Sequence, residues 1–432
     1  MKALFPLFLL LASPAAAGLA PAEQKIVRTV DAEQPRTVAL LERLVNVSSG
    51  SLNLPGVTAV GEMMRSELEP LGFAVRWVPM DQVGRAGHIV AVHKGSGRGR
   101  RILLIGHLDT VFEPDSPFQH FTRKDERTAE GPGVGDDKGG IAIMVAALRA
   151  MKAAGTLDAA DIEIVLTGDE EDAGSPIAIA RRDLVAAAGR ADLALDFEGL
   201  AQEGDRDMGS IARRGSASWQ LTARGRTGHS SGIFSKEMGD GAIYELARIL
   251  AAFRAELPEP NLTFNVGLVA GGATAELDRD LIRATATGKT NVIPPIAIAR
   301  GDLRALSLDQ QERVMAKMRA IVARHLAGSE ADIAFDDGAY PPMAPTAASR
   351  ALLGRLNAVN RDLGLAGMGE FDPLKRGAGD IGFVAHLLPG LVGLGTAGQG
   401  AHAPGETVDL ASLPRQTKRA AILMTRLAKE KR

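Results

Sequence analysis

Three strand-length apolar runs constrain this chain more than any other feature: "RILLIGH" at 101–107, "DIEIVLT" at 161–167 and "ADLALD" at 191–196. A strand with little polar alternation must be covered on both faces, which is the situation of a sheet sandwiched between helices. Between the first two runs lies "GGIAIMVAALRAMKAAG", whose periodicity predicts a helix closed by Gly155. Upstream, "RTVALLERLVNVSSG" and "GVTAVGEMMRSELEPLG" predict two more amphipathic helices, the second closed by Gly72, and "HIVAVHK" another strand. Strands alternating with helices imply βαβ units. The expected fold class is α/β, with a mixed, mostly parallel sheet flanked by helices.

The texture changes near residue 210. "SASWQLTARG", "LTFNVGLVAGG" and "AIAIARGDLRAL" read as strands patterned for one wet face, with helices over "GAIYELARILAAFRAEL" and "LDQQERVMAKMRAIVARHL". A small α+β domain at 210–326 is therefore expected to interrupt a larger one at 18–209 and 327–432. A chain of 432 residues is long enough for two cores. Trp219 is expected in the core of the inserted domain.

The N-terminus carries Lys2 and then "ALFPLFLLLASPAAAG", a short apolar run ending in small residues. That is the pattern of a secretory signal at 1–17 with cleavage after Ala17, and the run is too short to span a membrane comfortably. A soluble exported protein is expected, with the bacterial periplasm as its compartment. A net charge of −2 points to neither nucleic acid nor an anionic membrane as partner. The absence of cysteine excludes disulfides and leaves only His and carboxylates to bind a metal.

Each strand-like run ends in groups that carry chemistry, and in open parallel sheets ligands gather beyond the carboxyl ends of the strands. "GHLDTV" places His107 and Asp109 two apart on extended chain, hence on one side. A metal-bound imidazole commonly donates its other N–H to a carboxylate, although a packed His beside a capping Asp reads the same way. "GPGVGDDKGG" flanks Asp136 and Asp137 with glycines, which suits an ion or a surface turn before a helix. "LTGDEEDAGS" sets Asp169, Glu170, Glu171 and Asp172 in a row at the end of an apolar strand. Four such carboxylates repel one another, so they either face cations or form a solvated turn. "DFEG" ends another strand with Asp196 and Glu198, and "GAHAPGE" holds a glycine-flanked His402.

Taken together, "GHLDTV", "GPGVGDDKGG", "TGDEEDAGS", "DFEG", "GRTGHSS", "TNVIP", "GDLRA" and "GAGD" followed by "GAHAPGE" resemble the co-catalytic zinc exopeptidases and deacylases of clan MH. That group includes glutamate carboxypeptidase, aminoacylase, acetylornithine deacetylase and succinyl-diaminopimelate desuccinylase. The likeness covers nearly all of the chain after the signal. It implies a zinc-exopeptidase catalytic domain with an inserted lid and dimerisation domain, and two Zn2+ ions per subunit. It implies that His107 and Glu198 hold one zinc, that Glu171 and His402 hold the other, and that Asp136 bridges both. It further implies that Asp109 orients His107 and that Glu170 is the general acid/base. His229 is implied to polarise the scissile carbonyl, usually from the partner subunit of a homodimer. Asn291 and Arg304 are implied as grips on the substrate carboxylate, and the Gly377–Gly379 backbone as lining for the substrate end. A cis peptide between Asp136 and Asp137 belongs to the same likeness.

The implied reaction is zinc-dependent hydrolysis of an amide in a small substrate with a free carboxylate, a dipeptide or an N-acyl amino acid. Carboxypeptidase or dipeptidase activity is the first expectation, and N-acyl amino acid deacylase or aminopeptidase the alternative. A non-catalytic periplasmic peptide-binding protein is a remote third, since neither Glu170 nor a ligand is missing. Arg206 and Arg213, in "AQEGDRDMGSIARRG", can favour acidic substrates or sit in a solvated loop, and the solvated loop is expected. Asp169 and Asp172 are expected to serve the turn, and His88, His93, His120, His325 and His386 to be structural or solvated.

Overall fold

The computed structural model describes residues 18–96, 98–279 and 281–432, so the expected export signal at 1–17 lies outside the described residues. Six strands form the larger sheet, in the spatial order Ala74–Met80, Arg85–His93, Asp161–Thr167, Arg101–His107, Leu193–Asp196, Gly390–Val392. The last four run parallel, Arg85–His93 pairs antiparallel with Asp161–Thr167, and Ala74–Met80 pairs antiparallel with Arg85–His93 at the edge. The class is α/β with a mixed, mostly parallel sheet between helices.

The apolar runs are explained by burial on both faces. Ile102, Leu104, Ile162, Ile164, Leu166 and Leu195 pack into one core, together with the helices Pro21–Val45, Lys138–Ala154 and Ser412–Leu427. Their alternating neighbours Leu103, Ile105, Val165 and Ala194 pack into a second core on the other face, with Leu184, Ile381 and Val384. Gly155 adopts a left-handed φ of 71° and stops the Lys138–Ala154 helix, a conformation that glycine takes without a side-chain penalty. Register then aligns the carboxyl ends: His107 lies opposite Thr167, and Asp196 opposite Ile105.

A second sheet has the order Thr263–Gly272, Ile296–Arg304, Ala217–Gly225, Ser329–Phe335, all antiparallel. Helices Ala242–Glu256 and Leu308–Val322 cover one face, and Trp219 is fully buried there, edge-on to Phe253. The strand Ser329–Phe335 lies past residue 326, the expected end of the lid, yet it is a member of the lid sheet. Its Ala331, Ile333 and Phe335 pack against the core of that domain. The chain passes between the two sheets twice, and the crossings run side by side. Arg213 bridges to Met343 and Ser216 to Tyr340, each through paired backbone hydrogen bonds. Among the described residues no helix is long and apolar enough to cross a membrane.

Candidate metal centre

The site grows from the carboxyl ends of the parallel strands. His107 closes its strand, is buried, and directs Nε2 to Asp136 Oδ1 at 3.0 Å. Its Nδ1 faces Asp109, 3.3 Å from Oδ1 and 3.1 Å from the backbone carbonyl. Asp109 does more than the sequence suggests. Its buried carboxylate also accepts the Ser51 hydroxyl at 2.6 Å and the backbone N–H groups of Glu170 and Glu171 at 3.1 and 3.0 Å. One carboxylate therefore orients the imidazole and fastens the neighbouring strand's acidic turn to it.

The Asp136 loop is held from the far end of the chain. Glu406 accepts the N–H groups of Gly133, Gly135 and Asp136 at 3.0, 2.7 and 2.9 Å. A side chain at Gly140 would meet Asp137 Oδ1 and the Phe197 carbonyl at 2.0 Å, so the close approach of two segments requires glycine there. The Asp136–Asp137 peptide is cis, as the resemblance implies. Asp136 Oδ2 lies 3.2 Å from His402 Nε2, which in turn lies 3.1 Å from Glu171 Oε2. Two donor groups result, His107–Asp136–Glu198 and Asp136–Glu171–His402, each with ligand atoms within 4.8 Å of one another. They share Asp136.

Electrostatics show what such a cluster requires. Burial, reinforced by the charge of Glu198, raises the Glu170 carboxyl well above its ordinary range. Burial also pushes Glu171 up to about 7 despite its hydrogen bond to His402. Hydrogen bonds to Asp136 and Glu171 raise His402 to about 11. Without a cation, Glu170 and Glu171 are pushed toward their protonated forms and His402 toward its charged one, while hydrogen bonds with His107 and His402 hold Asp136 low against the effect of burial. Glu171 Oε1 is buried with no hydrogen-bond partner. An orphaned carboxylate oxygen, an all-N/O donor set and mutually repelling acids fit divalent cations, which supply the missing charge.

Asp136, Glu170, Glu171, Glu198, His402, Arg304, Tyr340 and Gly377 line a cleft of about 600 Å³. Arg304 is in the cleft and also pairs with Asp302 at 2.9 Å. His229 and Asn291 are not among the lining residues. They lie together on the lid, exposed, where Ser230 N–H donates to the Asn291 carbonyl and His229 bridges to Val292. Gly377 lines the cleft, but Gly379 is buried, and a side chain on it would lie 2.5 Å from Arg213 Nη1. The glycine accommodates an arginine there.

Arg213 itself corrects the expectation of a solvated loop. It is buried, with Nη1 3.0 Å from Glu198 Oε2, whereas Arg206 is exposed on a hairpin. Asp169 serves the turn as expected, accepting the Gly174 N–H at 2.9 Å, and is in addition buried against Arg181, while Asp172 is exposed beside Arg85. Glu406, Tyr340, Arg376 and Lys375 escaped the sequence reading. Glu406 and Arg376 stand inside or beside quoted motifs, but nothing in their spacing distinguishes them from loop residues.

Acids and imidazoles gathered so closely around an open cleft are a donor set suited to metal, and with the Glu170 carboxylate beside them they mark a metal-dependent hydrolase acting on peptide or linear amide bonds. The chain belongs to peptidase family M20/M25/M40, whose model matches residues 103–426. Among curated relatives, carboxypeptidase G2 of Pseudomonas sp. (strain RS-16) is 28% identical over 424 residues, 96% of this chain and 95% of the relative. A succinyl-diaminopimelate desuccinylase of Novosphingobium aromaticivorans is 31% identical over 298 residues, 67% of this chain and 73% of the relative. Among solved structures, aminopeptidase PepT of Bacillus cereus superposes with a TM-score of 0.72 at 19% identity, covering 92% of this chain and 99% of that one. A dinuclear metal-binding peptidase of Bacillus subtilis from the M20 family gives 0.64 at 17% identity, covering 92% and 99%.

Proposed function

We propose that this protein is a di-zinc carboxypeptidase or dipeptidase, exported to the periplasm and working as a homodimer. The carrying observation is the pair of donor groups that share Asp136, with Glu170 lining the same cleft. His107, Asp136 and Glu198 would hold one ion, and Asp136, Glu171 and His402 the other. When bound, a metal pair of this kind lowers the pKa of coordinated water and polarises a carbonyl.

The remaining work falls to the chain's own residues. Asp109 holds His107 through Nδ1 and keeps Nε2 directed inward. Glu170, already raised in pKa by burial, takes a proton and returns it to the departing nitrogen. The Tyr340 hydroxyl donates to the Glu170 carbonyl at 2.7 Å and steadies that base. Arg304 presents a planar fork suited to the substrate's free carboxylate. His229 and Asn291 lie outside their own cleft, which supports service to the neighbouring site. The lid exposes Phe234, Tyr244, Val269 and Ile282, apolar groups suited to covering by a second copy.

The desuccinylase relative favours a second reading, N-acyl amino acid deacylase. A panel of dipeptides and N-acyl amino acids, with free and with amidated carboxylates, separates the two. Zinc-restored turnover of free-carboxylate substrates is expected, and no turnover of any member would overturn the proposal. Export is tested by sequencing the N-terminus of secreted protein, with Gly18 expected first and Met1 the contrary result.

A further inference from the structure

His88 is buried in the larger sheet and belongs to neither donor group. It lies on the strand Arg85–His93, which pairs with Asp161–Thr167, the strand that opens into the acidic turn. The register between the two strands stops at Ile89 and Leu166. Just beyond that point the Gly168 N–H donates to His88 Nδ1 at 3.1 Å, so the side chain continues the pairing where the ladder ends. The other ring nitrogen, Nε2, lies 2.8 Å from the Ala180 carbonyl. A backbone N–H can only donate and a carbonyl can only accept. The two partners therefore fix the tautomer, with Nδ1 bare and the proton on Nε2. The ring thereby ties together both ends of the segment 168–181, and Glu170 and Glu171 lie within it.

The surroundings are shaped for this contact. A Cβ on Gly168 would lie 2.3 Å from the Gly87 carbonyl, so only glycine lets the turn come so close to the strand of His88. Arg85, on the same strand, donates to the Asp172 carbonyl at 2.6 Å. Ala180 precedes Arg181, whose Nη1 donates to Asp169 at 2.6 Å, and His88 Nε2 is itself 3.9 Å from that carboxylate. Asp109 fastens the turn independently, through the N–H groups of Glu170 and Glu171. His107 and Glu198 follow from other strands, Arg101–His107 and Leu193–Asp196.

We propose that His88 is a positioning residue: it fixes the root of the acidic turn and thereby places Glu171 as a metal ligand and Glu170 as the base. This rests on the metal-dependent hydrolase reading, and it adds a residue outside the cleft that governs one donor group and not the other. Without the ring nitrogens, a buried N–H and a buried carbonyl lose their partners, which is costly, and the segment relieves that cost by shifting. Glu171 shifts with it, whereas His107 and Glu198 stay on their own strands.

Stepwise zinc titration of the metal-free protein, followed by calorimetry, tests this. The wild type is expected to bind one ion at each of the two donor groups. His88→Phe keeps a flat ring without nitrogens. In it one ion should bind roughly tenfold or more weakly and the other within about threefold of wild type, as the loss of buried hydrogen bonds at one group implies. In a Glu171→Gln background His88→Phe should alter zinc binding by less than about threefold, and in a Glu198→Gln background it should keep its full effect. His88→Asn retains an acceptor near the place of Nδ1 and should bind both ions within about threefold of wild type, whereas His88→Gln puts its amide near the place of Nε2 and should not. At saturating zinc, kcat of His88→Phe should fall by roughly tenfold with KM little changed. If His88→Phe does not fold, the contrast between the Asn and Gln variants carries the decision. Equal weakening of both ions, weakening of neither, or like behaviour of the Asn and Gln variants overturns the positioning role while the hydrolase reading stands. A wild type that fills only one donor group overturns the two-ion reading and the proposal with it.

Discussion

Arg181 is the residue whose removal should reveal how Glu170, the proposed general base, is held. It is fully buried and makes four hydrogen bonds. Nε donates to Asp380 Oδ1 and Nη1 to Asp169 Oδ1, both at 2.6 Å. Nη2 donates to the Asp169 carbonyl at 2.9 Å and to the Tyr340 hydroxyl at 2.6 Å. Tyr340 and Phe383 flank the guanidinium, each ring centroid 5.5 Å away. Three segments thus meet on one cation: the acidic turn, the segment after Gly379 and the return crossing from the lid. Arg181→Met keeps the bulk and removes the charge. Asp169 then retains the Gly174 N–H and Asp380 the Thr167 hydroxyl, each a single bond for a buried carboxylate. Leaving a buried charge uncompensated costs about 3–5 kcal/mol, a large part of the ~5–15 kcal/mol that a typical domain has in total. Urea unfolding should show that loss as a lower midpoint with an unchanged slope. Adding Asp169→Asn and Asp380→Asn to Arg181→Met should recover more than half, because the orphaned charges are gone. In protein that remains folded, kcat should fall by roughly tenfold with zinc content intact, through the loss of Glu170 positioning. A single-variant loss under about 1 kcal/mol, or a triple variant less stable than the single one, would refute the claim that this ion cluster holds the turn.

Glu170→Gln retains shape without basicity, so activity should drop by about a hundredfold or more with metal content unchanged. Loss of metal together with activity would show that the roles of Glu170 and Glu171 are exchanged. Mixing His229→Ala chains with Glu170→Gln chains should restore part of the activity by subunit exchange, and no complementation would argue for a self-contained site. Arg304→Ala should cost roughly 2–4 kcal/mol in kcat/KM, and Arg304→Lys a measurable part of it. That loss should nearly vanish on a substrate with an amidated carboxylate, and equal losses on both substrates would make Arg304 a support of the lid.

By itself the sequence determined the parallel sheet and the ends at which its chemistry collects, because two-faced burial demands unbroken apolar strands and the polar break after each is local. His107, Asp136, Glu171, Glu198 and His402 were legible for that reason: each sits in a short motif at such a break. Only the tertiary structure decided what balances each charge. Asp169 and Glu171 are two residues apart in one acidic run, yet one faces Arg181 and the other His402. Arg206 and Arg213 lie close together in sequence, yet one is exposed and the other is buried beside Glu198. Glu406 holds the Asp136 backbone across a separation of 270 residues. A charge's partner depends on which segments the fold brings within a few ångströms. Local spacing carries no record of that, because Coulomb energy depends on distance through space and on the dielectric of the surroundings.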